Sequence, residues 1–190
     1  HSVDNPLDLV ITEDIEVVAN FGPVSLTENF ETGDLGHLQW KTSGNADWFV
    51  QSEYTSGSKF AAQSGAISDG QTSSLILEAD FTAGQAEFEV QVFSERTWDK
   101  LVFLIDDRKI EEWSGIQGWG NYTFNVSQGS HVLEWRYQKD FANSFGEDTV
   151  WIDNIDLPLR TGASLALEKS GDSLLLRLWG RPGHRYDIEV

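Results

Sequence analysis

The feature that most restricts the fold of this chain is a two-residue alternation of apolar and polar side chains. In residues 86–93, Phe88, Val90 and Val92 alternate with Glu87 and other polar residues. Successive side chains of a β-strand point to opposite faces, so this period is typical of a strand with one buried face. Helical periodicity is nearly absent, which predicts an all-β protein.

Six segments carry the strand pattern, and residues that favour turns separate them. In residues 131–137, the alternation predicts that His131, Leu133, Trp135 and Tyr137 share one face. The predicted strands are residues 74–79, 86–93, 101–105, 121–126, 131–137 and 150–157. Short strands at this spacing favour an antiparallel β-sandwich.

The two ends of the chain differ from this central block. The runs at residues 5–7 and 18–21 resemble the last part of the small β-repeats of internalin-type bacterial surface proteins. The end of the chain contains three further strand-like runs, and it resembles the opening of a fibronectin-like or immunoglobulin-like module. We therefore expect a hairpin at residues 1–22, a central module at residues 23–158 and further β-strands at residues 159–190. In an alternative arrangement, the two flanks pair with each other as a small sheet.

The strongly negative net charge of the chain excludes some classes of binding partner. The chain has 31 acidic residues against 13 Lys and Arg, a formal net charge of −18. This charge repels phosphate backbones and anionic membrane surfaces, so we expect neither a nucleic-acid partner nor a membrane partner. No apolar run approaches the ~20 residues that span a bilayer. The chain contains no Met, so His1 is not a translation start, and we expect it to belong to a longer protein with neighbouring domains.

Catalytic patterns are absent from the sequence. Without Cys, disulfides, zinc thiolate sites and thiol nucleophiles are excluded. None of the four His residues lies in a metal-ligand or nucleophile pattern. We therefore predict no enzymatic activity. Glu134 and Asp153, which we expect on neighbouring strands, are the first carboxylate pair to test for glycoside hydrolysis.

Three short segments of the central block contain candidate site residues. Alternation places Asp153 on one face with Trp151 and Ile155, among core side chains, and Glu31 adjoins the apolar Phe30. A buried carboxylate must be paired or bound to a metal, because burying it bare is very costly. The segments are Asn29-Phe30-Glu31-Thr32-Gly33-Asp34, Tyr54-Thr55-Ser56-Gly57-Ser58-Lys59-Phe60-Ala61 and Val150-Trp151-Ile152-Asp153-Asn154-Ile155-Asp156-Leu157.

In this order, the three segments resemble those of several calcium-binding jelly rolls. These include carbohydrate-binding modules that accompany xylanases and glucanases, cleaved-adhesin modules of gingipain-type proteases and, more distantly, MAM domains. The resemblance covers about residues 24–157. It implies an all-β, antiparallel jelly-roll β-sandwich with short β flanking segments.

The same resemblance implies a structural Ca²⁺ that joins the first and last strands. Glu31 and Asp153 would supply carboxylate oxygens, the loop from Ser56 to Lys59 would supply main-chain carbonyls, and Asp34 would be an additional ligand. Ca²⁺ takes six to eight oxygen ligands at roughly 2.3–2.6 Å. The alternative is that Glu31 and Asp153 only cap loops by accepting hydrogen bonds from backbone N–H groups.

Exposed tryptophan side chains are the main candidates for a sugar-binding surface. Trp98 and Trp119 lie in turn-like, polar contexts, so we expect their rings to face water and to stack on sugar rings. On a polar sheet face, Glu89, Arg136 and Gln138 would form a hydrogen-bonding platform. The tryptophans in strand-like runs, which we expect in the core, are Trp40, Trp48, Trp113, Trp135 and Trp151.

Two functions are compatible with these patterns. The first is a non-catalytic accessory module of a secreted multidomain bacterial protein, stabilised by Ca²⁺, that binds a polysaccharide or a cell-surface glycan. The second is an adhesion or spacer module of a large bacterial cell-surface protein, with no sugar site. Richness in Trp favours the first function, and the partial β-modules on both sides favour the second.

Overall fold

A computed structural model of the chain describes residues 18–20, 26–143, 147–160, 164–170, 173–179 and 187–189. Side chains are described within residues 26–143 and 147–160. All the regular secondary structure in this part of the chain is β-strand, as the alternation predicts. Among these residues there is no helix that could span a lipid bilayer.

The described strands belong to two compact units, and the larger one spans Ser25–Leu159. In the smaller unit, the first strand pairs antiparallel with the last strand, so the structure contains the alternative in which the two flanks pair. The other two strands form a hairpin. The predicted hairpin at residues 1–22 lies mostly outside the described residues. The strands of the smaller unit are β1 (Val18–Asn20), β13 (Ser164–Ser170), β14 (Ser173–Trp179) and β15 (Asp187–Glu189).

The larger unit is a sandwich of two antiparallel sheets. The six-stranded sheet has the order β10-β7-β12-β5-β4, and β2 also pairs with β12. The five-stranded sheet has the order β3-β6-β11-β8-β9. The strands are β2 (Leu26–Glu28), β3 (Trp40–Gly44), β4 (Phe49–Gln51), β5 (Ala61–Gln63), β6 (Thr72–Phe81), β7 (Gly84–Phe93), β8 (Lys100–Ile105), β9 (Arg108–Ser114), β10 (Ile116–Val126), β11 (Gly129–Gln138) and β12 (Thr149–Leu157).

Alternating residues of both sheets form one hydrophobic core. Val90 and Val92 of β7 are buried on the inner face of the six-stranded sheet, and Leu133 and Tyr137 of β11 are buried on the facing sheet. Aromatic rings fill the space between the sheets. The ring of Phe88 lies with its centroid 5.1–6.0 Å from those of Phe103, Trp113, Tyr122, Phe124 and Trp135. All six predicted strands are present, within β6, β7, β8, β10, β11 and β12, and the predicted inward faces are confirmed for β7 and β11.

Strand β12 departs from the alternation that the sequence predicts. Its register against β7 shifts between Asp153 and Asp156, and Asn154 has a φ of 46°. This bulge brings Ile155 into the core, whereas Trp151 packs outside it against the ring of a loop tyrosine. The expectation that Trp151, Asp153 and Ile155 share one face is therefore wrong, because a bulge inserts one extra residue and reverses the alternation.

Candidate functional site

The candidate metal ligand Asp153 is buried beneath the loop that precedes β5. Its Oδ2 accepts hydrogen bonds from the N–H of Ser56 at 3.1 Å and from the hydroxyl of Ser58 at 2.7 Å. Its Oδ1 accepts one from the N–H of Asn154 at 2.8 Å. Burial raises the pKa of Asp153, and the nearby charge of Glu89 raises it further. The carboxylate therefore fastens the loop to the outer face of the six-stranded sheet.

Glu31 holds the far end of the same loop. Its Oε1 accepts hydrogen bonds from the N–H groups of Lys59 at 2.7 Å and Phe60 at 3.1 Å. Glu31 is exposed, so the expectation that it is a buried carboxylate beside Phe30 is wrong. Asp34 is exposed as well, and it accepts a hydrogen bond from the N–H of Gly36 within its own turn, which lowers its pKa.

The oxygen atoms around this loop have the chemistry of a hard-cation site, but they already have protein partners. The amide nitrogen of Asn154 donates to the Ser56 carbonyl at 3.1 Å and to Oε2 of Glu89 at 2.6 Å. Carboxylate and carbonyl oxygens therefore converge beside Asp153, as Ca²⁺ ligands would. The contacts of Asp153 and Glu31 are those of the loop-capping alternative. Calcium binding here stays a prediction.

The buried carboxylate near the start of the sandwich is Glu28, which the sequence analysis did not single out. Glu28 is 1% exposed and belongs to β2. Its Oε1 accepts a hydrogen bond from the N–H of Phe30 at 2.9 Å, and its Oε2 accepts one from Nε1 of Trp40 at 3.1 Å. His37 Nδ1 lies 3.3 Å from the same Oε2. The available signal was that Leu26 and Glu28 share one face of a strand.

The two predicted stacking residues lie in segments that flank one cleft. Trp98 is 59% exposed, and it lies two residues after Arg96. Trp119 is partly exposed, and it lies two residues after Gln117, at the register shift of β10. The cleft has a volume of ≈ 550 Å³, and neither Trp98 nor Trp119 is among the residues that line it. The lining residues are Ser94, Arg96, Ser114, Gly115, Ile116 and Gln117.

Hydrogen bonds from the turn that connects β7 to β8 fix the shape of the cleft. The N–H of Thr97 donates a hydrogen bond to Oγ of Ser114 at 3.0 Å, and the N–H of Ser94 donates one to the carbonyl of Gly115 at 3.0 Å. Thr97 has a φ of 80°, an uncommon conformation for a β-branched residue. These hydrogen bonds therefore place the turn that carries Trp98 against the connection between β9 and β10.

The predicted polar platform is divided between the two sheets. Glu89 lies on β7, whereas Arg136 and Gln138 lie on β11, and each of the three alternates with core residues. They therefore lie on opposite outer faces and form no common platform. The guanidinium group of Arg136 donates two hydrogen bonds to the carboxylate of Glu134, from Nε at 2.8 Å and from an Nη at 2.6 Å. Glu134 and Asp153 also lie on different sheets, so the expectation of neighbouring strands is wrong.

The comparisons with known proteins show the fold. A scan against family models and a search of the curated proteins find no match. Among solved structures, the K2 cleaved adhesin domain of Lys-gingipain is 17% identical at a TM-score of 0.52, over 70% of this chain and 99% of that domain. The K1 domain from Porphyromonas gingivalis W83 is 16% identical at a TM-score of 0.52, over 70% and 97% of the two chains. The expected jelly-roll β-sandwich is confirmed.

A second group of aromatic residues lies along the outer face of the six-stranded sheet, where Phe49 and Tyr54 are exposed and Trp151 is buried. Phe49 of β4 pairs with Gln63 of β5, Gln63 pairs with Trp151 of β12, and Trp151 pairs with Gln91 of β7. Phe49 is 45% exposed. Tyr54 covers Trp151, with their ring centroids 4.8 Å apart. The sequence analysis missed this row because the order of the strands depends on pairings between residues distant in sequence.

Proposed function

We propose that this chain is a non-catalytic accessory module of a secreted or cell-surface bacterial protein with several domains, and that it binds a neutral glycan. The observation that supports this proposal most strongly is that residues close in sequence to both tryptophans line one cleft: Arg96 lies two residues before Trp98, and Gln117 lies two residues before Trp119. These two segments are 21 residues apart in the chain and meet through backbone and side-chain hydrogen bonds.

The chemistry of the cleft suits a neutral sugar. An exposed indole offers apolar contact to the C–H face of a sugar ring, and a few polar groups fix its orientation. Arg96, Ser114 and Gln117 provide donors and acceptors for hydroxyl groups along the cleft. The formal net charge of −18 disfavours acidic polysaccharides.

We also propose that Ca²⁺ stabilises the module at the loop before β5. The ligands would be the carboxylates of Asp153 and Glu31 and main-chain carbonyls of the loop between Ser56 and Lys59. The bound ion would neutralise a carboxylate whose burial opposes its charge. Removal of Ca²⁺ with a chelator is expected to lower the melting temperature, and Asp153→Asn is expected to reduce the size of that decrease.

Affinity electrophoresis on gels that contain neutral polysaccharides tests the glycan site. We expect the wild-type chain to be retarded, and Trp98→Ala and Trp119→Ala to migrate as in a gel without polysaccharide. Phe49→Ala is the matched control, because it removes an exposed aromatic ring from the outer face of the six-stranded sheet. Near-ultraviolet circular dichroism establishes that the variants keep the fold.

The outcome also decides between the two functions. Loss of retardation in Phe49→Ala, with Trp98→Ala unaffected, would move the binding site to the outer face of the sheet. If no neutral polysaccharide retards the wild-type chain, the glycan site is refuted and an adhesion or spacer module is the better description. Tight binding to an acidic polysaccharide would contradict the electrostatic argument.

A further inference from the structure

Three carboxylates meet at the turn between β7 and β8, and none of them belongs to the loop before β5. Glu95 and Asp99 lie at the two ends of the β7–β8 turn, and Asp140 follows β11. One carboxylate oxygen from each residue lies within 4.8 Å of those of the other two. Ligands on opposite sides of one Ca²⁺ are about 4.6–5.2 Å apart, so a single ion can contact all three.

Two oxygens of this cluster are buried and accept no hydrogen bond. Asp99 is 0% exposed, and its Oδ1 accepts a hydrogen bond from the N–H of Asp140 at 3.0 Å. Its Oδ2 and the Oε2 of Glu95 have no hydrogen-bond partner. Buried polar atoms are normally satisfied, and an unsatisfied carboxylate oxygen is among the costliest exceptions. Burial raises the pKa of Asp99 to about 6, and the neighbouring carboxyl group of Asp148 contributes in the same direction.

The neighbouring ammonium group compensates this charge only in part. Lys139 is 2% exposed at its side chain, and its Nζ donates a hydrogen bond to Asp148. The same Nζ lies 3.8 Å from Oδ2 of Asp99 and 3.7 Å from Oδ1 of Asp69, which is beyond hydrogen-bond distance in both cases. One ammonium is therefore shared among three carboxylates, and Glu95 and Asp140 add two more acidic groups.

We propose that Glu95, Asp99 and Asp140 bind a divalent cation, and that Ca²⁺ is the ion they suit. All the ligands are carboxylate oxygens, which hard cations prefer, and water would complete the coordination. The ion would use the two buried oxygens that have no protein donor. It would also tie both ends of the turn that carries Trp98 to the end of β11. This site is independent of the glycan proposal, and its test requires no sugar.

Isothermal titration of the chelator-treated full chain with CaCl₂ tests the site. We expect saturable binding that Glu95→Gln and Asp99→Asn each weaken by roughly tenfold or more, since they reduce the charge of the ligand set. Asp153→Asn is the control, because it alters only the other candidate site, and it is expected to leave the binding at Glu95, Asp99 and Asp140 unchanged. The proposal is overturned if the wild-type chain shows no saturable Ca²⁺ binding, or if Glu95→Gln and Asp99→Asn bind Ca²⁺ as the wild type does.

A thermal comparison keeps the proposal testable if one variant folds poorly. In a chelator, Asp99→Asn is expected to be at least as stable as the wild type, because it removes a buried charge that Lys139 compensates only in part. With Ca²⁺ present, the order is expected to reverse, since only the wild type gains from an ion at this cluster, whereas an ion at the loop before β5 would stabilise both proteins equally. If the two melting temperatures keep the same order in both solutions, Lys139 is the cation that this cluster uses and the proposal is wrong.

Discussion

Replacing Glu28 with Ala is expected to destabilise the sandwich strongly, although this residue touches neither candidate metal site nor the cleft. The substitution leaves the N–H of Phe30 and Nε1 of Trp40 without their acceptors, which lie at 2.9 Å and 3.1 Å. A buried donor without a partner costs about 1–3 kcal/mol. Because Trp40 is only partly buried, we expect a loss of about 2–4 kcal/mol in the free energy of unfolding.

Urea denaturation followed by tryptophan fluorescence measures this loss. For a chain of this size, each kcal/mol lowers the melting temperature by about 2–4 °C, so a total of roughly 5–15 °C is expected. Glu78→Ala is the matched control, since its ion pair with Lys41 joins two exposed side chains and is expected to contribute less than about 1 kcal/mol. A Glu28→Ala variant within about 1 kcal/mol of the wild type would refute the reasoning.

Three further predictions concern the core, a close backbone approach and a surface carboxylate. Phe88→Ala is expected to cost about 3–5 kcal/mol in urea denaturation, because its ring is fully buried among five other aromatic rings. Gly44→Ala is expected to lower the melting temperature, because an added Cβ would lie 2.4 Å from the carbonyl oxygen of Thr72 at a φ of 105°. The hydrogen bond from the N–H of Val132 lowers the pKa of Asp106. The ionised carboxylate of Asp106 therefore stabilises the fold at pH values above its pKa in the unfolded chain, and this stabilisation is lost as the pH falls through its pKa in the folded protein. Carbon-13 NMR titration is expected to show this carboxyl titrating below 3.8, and Asp106→Asn is expected to flatten the acid limb of the stability curve.

Local patterns predicted much of the sandwich, because they depend on neighbours in the chain. The alternation in β7 and β11 indicated which side chains enter the core, and packing between the sheets confirmed it. In β12 the same argument failed at Asn154, where a bulge reverses the faces of the strand. Periodicity carries no information about a bulge that tertiary contacts impose.

The candidate sites were harder to predict, because they depend on which strands become neighbours. The segments around Trp98 and Trp119 were each identified by their polar contexts, but their meeting at one cleft depends on long-range contacts such as the hydrogen bond from the N–H of Thr97 to Oγ of Ser114. Likewise, Asp99 reaches Asp140 through a contact that spans 41 residues. Such long-range contacts follow from the strand order, which alternation alone does not specify.

The most direct test of the account is an NMR titration of the indole N–H signals with a neutral oligosaccharide that retards the chain in electrophoresis. The account predicts saturable shifts for Trp98 and Trp119, with the signal of Trp151 unmoved beneath Tyr54. Saturable shifts at Trp151, with Trp98 and Trp119 unchanged, would contradict it and would place the ligand on the outer face of the six-stranded sheet.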